Sequence, residues 1–535
     1  MLAAMMFLGN IGSYGQFLRA ESNFSLGARM MVETNEYLLP HAPHELPLNK
    51  TPLQYWLIGL AYQVFGFSYG ASRIPSALCG LGVLILVYIL GLRFRGKLAG
   101  LTAAAMLATT YLFWSFARLS MPDMLLTLCI TSTLVCWCLV LIDQTNYPRT
   151  LVLLGYGSIA FGFLAKGPVA IVLSFLPIGL EILISRDLSI IRKLRPISGL
   201  LVFLLIAAPY FLLVYIYEGA EPLRNFFIEE NLRRFTGSSY TTSQPIFVYE
   251  VTAFLADFVP WSPLLITTVW WFTRWKTIDP TTRRQLRLLS VWIVSPILFF
   301  SVSNFKLDYY FLIGVPPAAL LVALTLLQEG EPSIWAQRLR LTLVVLLVVF
   351  LPIVLYFTGQ MVTVNFQEMR LAWLPHVIAV MTMIPAILAI LWRPAHQAVL
   401  AFAFTIWATT FSTYYFLLPD YTRFQPTGTL AASIPADAHV YAAGPADEWT
   451  WDLALFLPTS QPVKPLPGNV VDQLRPILQA DHQAIILVYE REYRELQKAG
   501  ILLRVIAQAQ AYKRNRLTLG SLFGPTYEQL YLLAK

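Results

Sequence analysis

Charged residues are scarce in this chain of 535 residues. Asp, Glu, Lys and Arg make up 13% of it and hydrophobic residues 57%, with a mean hydropathy of +0.61. A soluble protein has about 25% charged residues, so this composition excludes that class. The apolar runs are about 17–25 residues long, enough to cross about 30 Å of hydrocarbon as helices. They also lack the strict alternation of a transmembrane β-barrel. The sequence predicts a mainly α polytopic membrane protein.

Several sequence motifs that mark nucleotide-binding or metal-dependent enzymes are missing. No GxxxxGK[ST] loop is present to drive transport with ATP, and neither GxGxxG nor HExxH occurs. The chain has no Asp-x-Asp pair, which disfavours a soluble nucleotide-sugar donor, and no internal repeat, which weighs against a secondary transporter. Its few cysteines lie inside apolar runs without metal-ligand spacing and indicate helix packing. These cysteines are Cys79, Cys129, Cys136 and Cys138.

The apolar runs predict about 13 transmembrane helices. We expect spans near residues 1–17, 74–92, 98–114, 124–142, 150–164, 168–184, 197–217, 251–272, 288–303, 310–327, 341–357, 373–391 and 397–418. No Lys or Arg precedes the first run, and Gln16-Phe17-Leu18 is a poor signal-peptide cleavage site, so we keep that run as a span. The sequence leaves open whether the N-terminus is complete.

The basic residues orient these spans. Most of the net charge of +8 sits in short loops on one face, which the positive-inside rule assigns to the cytoplasm and which needs no nucleic-acid partner. The opposite, outer face carries long loops with isolated basic residues that topology does not explain. Those basic residues are Lys50, Arg118, Lys166, Arg233, Arg234 and Lys306.

Two domains are expected. Residues 1–424 form the transmembrane domain, whose outer loop 18–73 carries amphipathic interfacial helices such as 51–66. A transmembrane reading of 51–66 would invert every later loop. In residues 425–535, short β-branched runs alternate with polar segments, which predicts a small α/β domain on the outer side.

Charged residues of the outer face form the candidate site. Two or three cations around one point bind a phosphate, and a carboxylate beside them acts as a base or orients an acceptor. The alternative is that each charge anchors the protein to lipid headgroups. The candidates are Glu21, Lys50, Asp123, Lys166, Arg234, Lys306 and Asp308.

An ordered set of motifs resembles the superfamily of aminoarabinose (lipid A) transferases and protein O-mannosyltransferases. These are GT-C-fold membrane glycosyltransferases, similar to glycosyltransferase family 83, that use a polyprenyl-phosphate-linked sugar. The family loop D-E-x-R-Y-A-E-x-A-R-E-M corresponds to AESNFSLGARMM at 20–31, and E-K-P-P-L-x-Y-W to NKTPLQYW at 49–56. Further matches are ARLSMPDMLLT (117–127), LAKGPVAIVL (164–173), NLRRF (231–235), FVPWSPLL (258–265) and KLDYYFLIGVPPAALL (306–321).

The resemblance implies roles for individual residues. Lys50 resembles the lysine that holds the lipid phosphate, Arg234 a second phosphate ligand, and Lys306 with Tyr310 a segment near that site. Asp123 resembles the acidic residue of the second loop, and Glu21 the second acid of the D-E pair, so both are catalytic candidates. Arg118, Lys166 and Asp308 are further candidates for contacts with the donor or acceptor.

The chain departs from the family pattern at several positions. Ala20 stands in place of the first acid, which is usually the catalytic one, and Asn23 in place of the motif arginine. Asn49 replaces a glutamate, and no histidine follows "RF" at 234–235, so two expected metal ligands are missing. We therefore assign no metal or other cofactor, although His41 and His44 offer replacement ligands for a divalent ion.

The expected reaction transfers a sugar to a lipid, glycan or protein acceptor at the outer face of a bacterial inner membrane. Three explanations of Ala20 stay open: Glu21 has taken over, the acceptor is an already ionised group such as a phosphate, or transferase activity has been lost. A polyprenyl-phosphate or lipid transporter or binding protein is the alternative function, and a structural subunit is a third. The sugar, the acceptor and the oligomeric state are not specified by the sequence.

Overall fold

We describe the fold from a computed structural model of the 535-residue chain. The structure describes all residues except 16–18, 41–47, 49, 144, 238–246, 270–274, 328–333, 335–337, 339–340, 343–344, 346–372, 393–394, 418–425, 459–460, 467 and 513–526. Most of the predicted span 341–357 and the loop histidines His41 and His44 lie outside the described residues.

The first 327 residues form a bundle of helices. Its long helices begin and end close to the predicted spans, because each apolar run is bounded by Pro, Gly or charged residues that do not continue a buried helix. The helices up to the outer loop of the candidate site are Leu2–Leu8, Arg19–Thr34, Leu53–Phe65, Tyr69–Arg95, Lys97–Ala108, Tyr111–Phe116, Pro122–Leu141, Pro148–Lys166, Val169–Ser185, Ser189–Lys193 and Pro196–Glu218.

Beyond that loop the helices become shorter and less regular. A π-helix, Asn225–Arg233, lies between the short helices Glu221–Arg224 and Arg234–Thr236. The remaining membrane-region helices are Val248–Asp257, Ser262–Thr268 (3₁₀), Pro280–Ser301, Asp308–Gly314 (3₁₀), Val315–Leu326, Leu374–Trp392, Ala395–Ser412 and Thr413–Leu417 (π).

Five helices in the described part of the chain are long and apolar enough to cross a membrane. They are Tyr69–Arg95, Pro122–Leu141, Pro148–Lys166, Pro196–Glu218 and Tyr309–Leu326. A sixth span is formed if Val248–Asp257 and Ser262–Thr268, which meet at a 108° bend, are counted together. The chain is thus a multi-pass membrane protein, and the full count of about 13 spans stays a prediction.

Two of the predicted spans have a different local structure. Within 1–17 the helix covers Leu2–Leu8 and is followed by turns up to Gly15, whose backbone carbonyls bind the two arginines Arg73 and Arg118 described below. The predicted span 98–114 is broken at Thr109 and Thr110, whose hydroxyls bond back to carbonyls of the preceding turn. Such side-chain bonds compete with helical hydrogen bonds and bend helices.

Helix Pro122–Leu141 is the centre of the bundle. Nearly all of its side chains are buried, whereas Pro196–Glu218 exposes most of its apolar surface and therefore faces lipid. The cysteines Cys129, Cys136 and Cys138 are buried in the central helix, as their apolar context predicts.

A five-stranded sheet lies in the C-terminal region. Strands β1 (His439–Ala443), β2 (Val463–Leu466), β3 (Ala484–Tyr489), β4 (Arg504–Tyr512) and β5 (Tyr527–Ala534) are arranged in the order β2-β1-β3-β5-β4. β1 is parallel to β2 and β3, with Val440 opposite Val463 and Ile485, and β5 is antiparallel to β3 and β4. Helices Thr427–Ala431, Gly444–Trp449 (3₁₀), Thr450–Ala454, Val470–Ala480 and Glu490–Lys498 complete this region.

The sheet region packs on the first outer-loop helix, Arg19–Thr34. Ser22 donates a short hydrogen bond to Asp452, Arg29 donates one to the carbonyl of Leu455, and the ring of Tyr69 contacts that of Phe456 at a centroid distance of 5.3 Å. The strands and helices of residues 425–535 agree in kind with the predicted α/β pattern. Their status as a separate domain outside the membrane stays a prediction.

Gly167 allows helix Pro148–Lys166 to end against the π-helix. Its φ of +77° is a conformation that favours glycine, and a Cβ there would approach the ring of Phe226 to 2.6 Å. Gly167→Ala therefore combines backbone strain with overpacking, and we expect a loss of about 1–3 kcal/mol of stability.

Thermal unfolding in detergent measures this loss. Gly179→Ala is the matched control, because no atom lies within 4 Å of a Cβ at Gly179 and alanine is the better helix former. Equal unfolding temperatures for both variants would contradict the close packing at Gly167.

Candidate functional site

A cavity of about 520 Å³ opens where several helix ends meet. Asp123 lies in the first turn of Pro122–Leu141, Lys166 in the last turn of Pro148–Lys166, and Glu230 on the π-helix. Single-turn π-helices are frequently found at functional sites. The cavity is lined by Lys50, Thr51, Asp123, Leu126, Thr127, Lys166, Pro168, Val169, Val172, Phe226, Phe227, Glu230, Asn231, Leu232, Arg234, Phe235, Phe299, Phe300, Ser303, Phe305, Tyr309, Tyr310, Leu312 and Ile313.

Most of the cavity wall is apolar. Aromatic side chains of the π-helix and of helix Pro280–Ser301 line it, together with the aliphatic residues Val169 and Val172. Phe300 stacks on Tyr310 with ring centroids 4.5 Å apart. A surface of this kind suits a hydrocarbon chain better than a free sugar, because it gains free energy from apolar contact area.

Two cations meet at one carboxylate oxygen. Oε2 of Glu230 accepts a hydrogen bond from Nζ of Lys50 at 2.9 Å and one from an Nη1 of Arg234 at 3.1 Å. The Arg234 guanidinium also lies 4.1 Å from the centroid of the Phe305 ring. The arrangement is a preformed anion site, in which two positive groups converge on one point.

Asp123 and Lys166 form a second charged pair on the cavity wall. Nζ of Lys166 lies 2.5 Å from Oδ1 of Asp123 and within 5.6 Å of the ring centroids of Tyr309 and Tyr310. The helix N-terminus also favours the charge of Asp123. Oδ2 of Asp123 is buried and has no hydrogen-bond partner among the described residues. This oxygen can therefore accept a hydrogen bond from a bound ligand.

The described lining carries three cations and two carboxylates, and so one net positive charge. A ligand with a single negative charge, such as a phosphodiester, would neutralise it. In a cavity with little water, such matching decides which anions bind.

The structure brings together five of the predicted site residues. Lys50, Asp123, Lys166, Arg234 and Tyr310 all line the cavity. Glu21, Arg118 and Lys306 are not in its lining. Asp308 begins the 3₁₀ helix Asp308–Gly314, and its side chain lies outside the described part of the structure.

Glu21 is completely buried in an ion pair. Its Oε1 accepts from Nε of Arg73 at 2.7 Å and from the backbone N–H of Ser120 at 3.2 Å. The other Arg73 nitrogens donate to the carbonyls of Ile11, Tyr14 and Gly15. The pair therefore joins the first turns of the chain to the loop before Asp123. A catalytic role for Glu21 stays a prediction, at a position outside the cavity lining.

Arg118 and Lys306 are also held in the protein interior. Arg118 is buried and donates to the Tyr14 hydroxyl at 3.0 Å and to the carbonyl of Gly9 at 2.9 Å, in the turns that follow helix Leu2–Leu8. Lys306 is buried beside Glu250, to which it donates a short hydrogen bond. In this structure neither cation faces the lining of the cavity.

Two cavity residues were missed by sequence reasoning. The candidates include Tyr310 but not its neighbour Tyr309, and they do not include Glu230. Its spacing of four residues from Arg234 was a usable signal, since such pairs lie on one helix face. Among the described residues no group of three His, Cys, Asp or Glu side chains is placed to hold a metal ion.

The fold and the cavity define a class, a helical membrane protein with an amphiphilic, cation-bearing site. The family model described as dolichyl-phosphate-mannose-protein mannosyltransferase matches residues 49–213. An uncharacterized protein of Aquifex aeolicus is 29% identical over 293 residues, which are 55% of this chain and 64% of the relative. The undecaprenyl phosphate-alpha-4-amino-4-deoxy-L-arabinose arabinosyl transferase 2 of Proteus mirabilis is 27% identical over 316 residues, which are 57% of this chain and 54% of the relative.

A solved structure shares the fold over nearly the whole length. The crystal structure of ArnT from Cupriavidus metallidurans bound to undecaprenyl phosphate superposes with a TM-score of 0.77 at 18% identity, covering 99% of this chain and 96% of that one. In its fold and in these partial sequence matches, the chain is similar to the aminoarabinose transferases and the protein mannosyltransferases. The sequence matches span 54–64% of these two curated relatives.

Removing the Glu21 carboxylate should destabilise the fold. Glu21→Ala leaves Arg73 charged in the interior, and breaking a buried ion pair in this way costs about 3–5 kcal/mol. Thermal unfolding in detergent is the measurement. Glu33→Ala, on the same helix, is the control, because it removes a partly exposed pair with Arg29 that contributes less than about 1 kcal/mol. An unfolding temperature for Glu21→Ala equal to that of the control would contradict the structural role.

Proposed function

We propose that the chain is a membrane glycosyltransferase that moves a sugar from a polyprenyl-phosphate-linked donor to an acceptor. The observation that carries this proposal is the cavity, where an apolar aromatic wall adjoins the anion site of Lys50 and Arg234 and the carboxylate of Asp123. The match to the mannosyltransferase family model and the relatives named as arabinosyl transferases support the same reaction class.

The donor enters with its hydrocarbon chain against the aromatic wall. Its phosphate accepts hydrogen bonds from Lys50 and Arg234, and the Tyr310 hydroxyl lies in the same lining. A phosphodiester carries one negative charge and so neutralises the described lining.

In the reaction an acceptor oxygen attacks the anomeric carbon and the bond from that carbon to the phosphate oxygen breaks. The bonding pair leaves with polyprenyl phosphate, whose negative charge Lys50 and Arg234 stabilise. These cations lower the barrier because the charge grows towards them in the transition state.

Asp123 takes the acceptor proton in this proposal. Its Oδ1 is held by Lys166, while Oδ2 has capacity to accept a hydrogen bond. A proton moved to Asp123 removes one negative charge from the wall as the phosphate gains one, so the cavity stays neutral throughout. Glu21 has a supporting role, because its carboxylate accepts a hydrogen bond from the backbone N–H of Ser120 in the loop before Asp123.

The acceptor is a lipid, such as lipid A, a glycan or a protein at the outer face of the bacterial inner membrane. The charge asymmetry of the loops supports placing the cavity and the sheet region on the periplasmic side.

Binding of undecaprenyl phosphate tests the anion site. We expect Lys50→Ala to weaken binding about 10-fold to 150-fold, because a charge-assisted hydrogen bond contributes about 1.5–3 kcal/mol. Titration of the full chain in nanodiscs measures the affinity. Arg233→Gln is the matched control, since Arg233 is half exposed and pairs with Glu229 away from the cavity. Equal weakening by both variants would contradict the assignment.

Sugar transfer from defined donors tests the role of Asp123 as the base. Proteoliposomes receive undecaprenyl-phosphate-linked 4-amino-4-deoxy-L-arabinose or polyprenyl-phosphate mannose together with a membrane lipid extract, and the release of polyprenyl phosphate is followed. Asp123→Asn should lower the rate about 10²-fold to 10⁴-fold. The affinity of this variant for undecaprenyl phosphate should equal or exceed that of the wild type, because the cavity wall loses a negative charge.

Other outcomes would point to other functions. Wild-type rates for Asp123→Asn, Glu21→Gln and Lys50→Ala would contradict the site. If the chain binds undecaprenyl phosphate through Lys50 but transfers sugar from neither donor, a homologue without transferase activity is favoured. If it moves the lipid phosphate across the membrane and the carboxylate variants do so equally well, a lipid-phosphate carrier is favoured.

A further inference from the structure

The anion site at Lys50 and Arg234 already holds an anion that belongs to the chain. A single oxygen of Glu230 accepts from both cations, at 2.9 and 3.1 Å, so it stands where an oxygen of a phosphate would stand. Lys50 lies 180 residues away in sequence, which makes this contact a product of the fold and not of local helix geometry.

We infer that Glu230 is an internal competitor for the lipid phosphate, which gives up its contacts when the phosphate binds and reclaims them when it leaves. This inference rests on the proposed function and concerns the same site. It assigns to Glu230 a control of affinity and of product release.

Charge explains why the two anions compete. A phosphate that took the position between Lys50 and Arg234 would lie within contact distance of the Glu230 carboxylate, and like charges in a poorly hydrated cavity repel strongly. The Glu230 side chain is 20% exposed towards the cavity and so has room to turn away. Each binding event therefore exchanges one anion for another.

The competition acts most strongly on the product. The donor phosphodiester carries one negative charge, whereas the released polyprenyl phosphate carries up to two. The Glu230 carboxylate repels the doubly charged product more strongly than the singly charged donor. Glu230 thus favours the exchange of product for new donor, which matters because release of product limits the rate of many enzymes.

The neighbouring pair offers a matched control. Glu229 and Arg233 are also spaced by four residues, one position earlier on the same π-helix, and neither lines the cavity. Glu229→Gln removes the same charge from the same element without touching the anion site.

Titration of the full chain in nanodiscs with undecaprenyl phosphate tests the inference. We expect Glu230→Gln to bind the lipid phosphate at least 10-fold more tightly than the wild type, and Glu229→Gln to bind within about 2-fold of it. Glu230→Asp, whose shorter side chain reaches the two cations less well, should fall between. Unfolding temperatures confirm that the variants compared are folded.

Two results would overturn the inference. Weaker binding by Glu230→Gln would show that the carboxylate orients Lys50 and Arg234 for the ligand, and unchanged binding would show that it does not compete. Either result, with wild-type binding that still depends on Lys50, leaves the proposed function standing. If the wild type does not bind undecaprenyl phosphate, or Lys50→Ala binds as well as the wild type, the proposed function itself fails.

Discussion

A charge removed from water must meet an opposite charge or a set of hydrogen bonds, and this constraint organises the whole helical bundle. Desolvation of a single ion costs several kcal/mol, so an unpaired charge would unfold a protein that is stable by only about 5–15 kcal/mol. Glu181 illustrates the solution, because it is fully buried in an apolar helix and bonds Arg287 through both oxygens, at 2.7 and 2.6 Å. The other interior pairs join segments that are far apart in sequence and so fix the register of helices against loops. They are Glu21 with Arg73, Lys306 with Glu250, Asp123 with Lys166, and Glu230 with Lys50.

Exposure divides these pairs into two kinds. In the Glu21–Arg73 pair both side chains are 0% exposed, and every nitrogen of the guanidinium donates to a protein group. This pair therefore has a structural role. At the cavity Lys50 is 32% exposed and Lys166 is 23% exposed, so a ligand can reach the same ammonium that the protein neutralises. A chain that must stay folded when its site is empty needs these internal anions, and a chain that binds an external anion must be able to release them. The partly exposed pairs of the cavity are consistent with both requirements.

Much of this structure could be predicted from the sequence, and the part that could not has one physical cause. Scarcity of charge and long apolar runs predicted the helices because burial of apolar surface dominates their energetics. Five of the candidate residues, chosen from isolated charges on the outer face and from the order of the motifs, line one cavity in the structure. Glu21 and Lys306 are charged residues of the outer face like Lys50, but their side chains are 0% and 5% exposed, whereas that of Lys50 is 32% exposed. A sequence pattern shows which residues carry charge and does not show which partner cancels it, so the two kinds of pair become distinct only in three dimensions.

The position of Asp123 gives a physical account of the alanine at position 20. Where the family pattern has two adjacent acids, this chain keeps the second, Glu21, and uses it to hold Arg73 and the loop at Ser120. In the proposed chemistry the proton goes instead to Asp123, which lies at a helix N-terminus and bonds Lys166. The loss of one acid and the retention of the other are then consistent with a division of labour, in which Glu21 maintains the shape of the loop and Asp123 reacts.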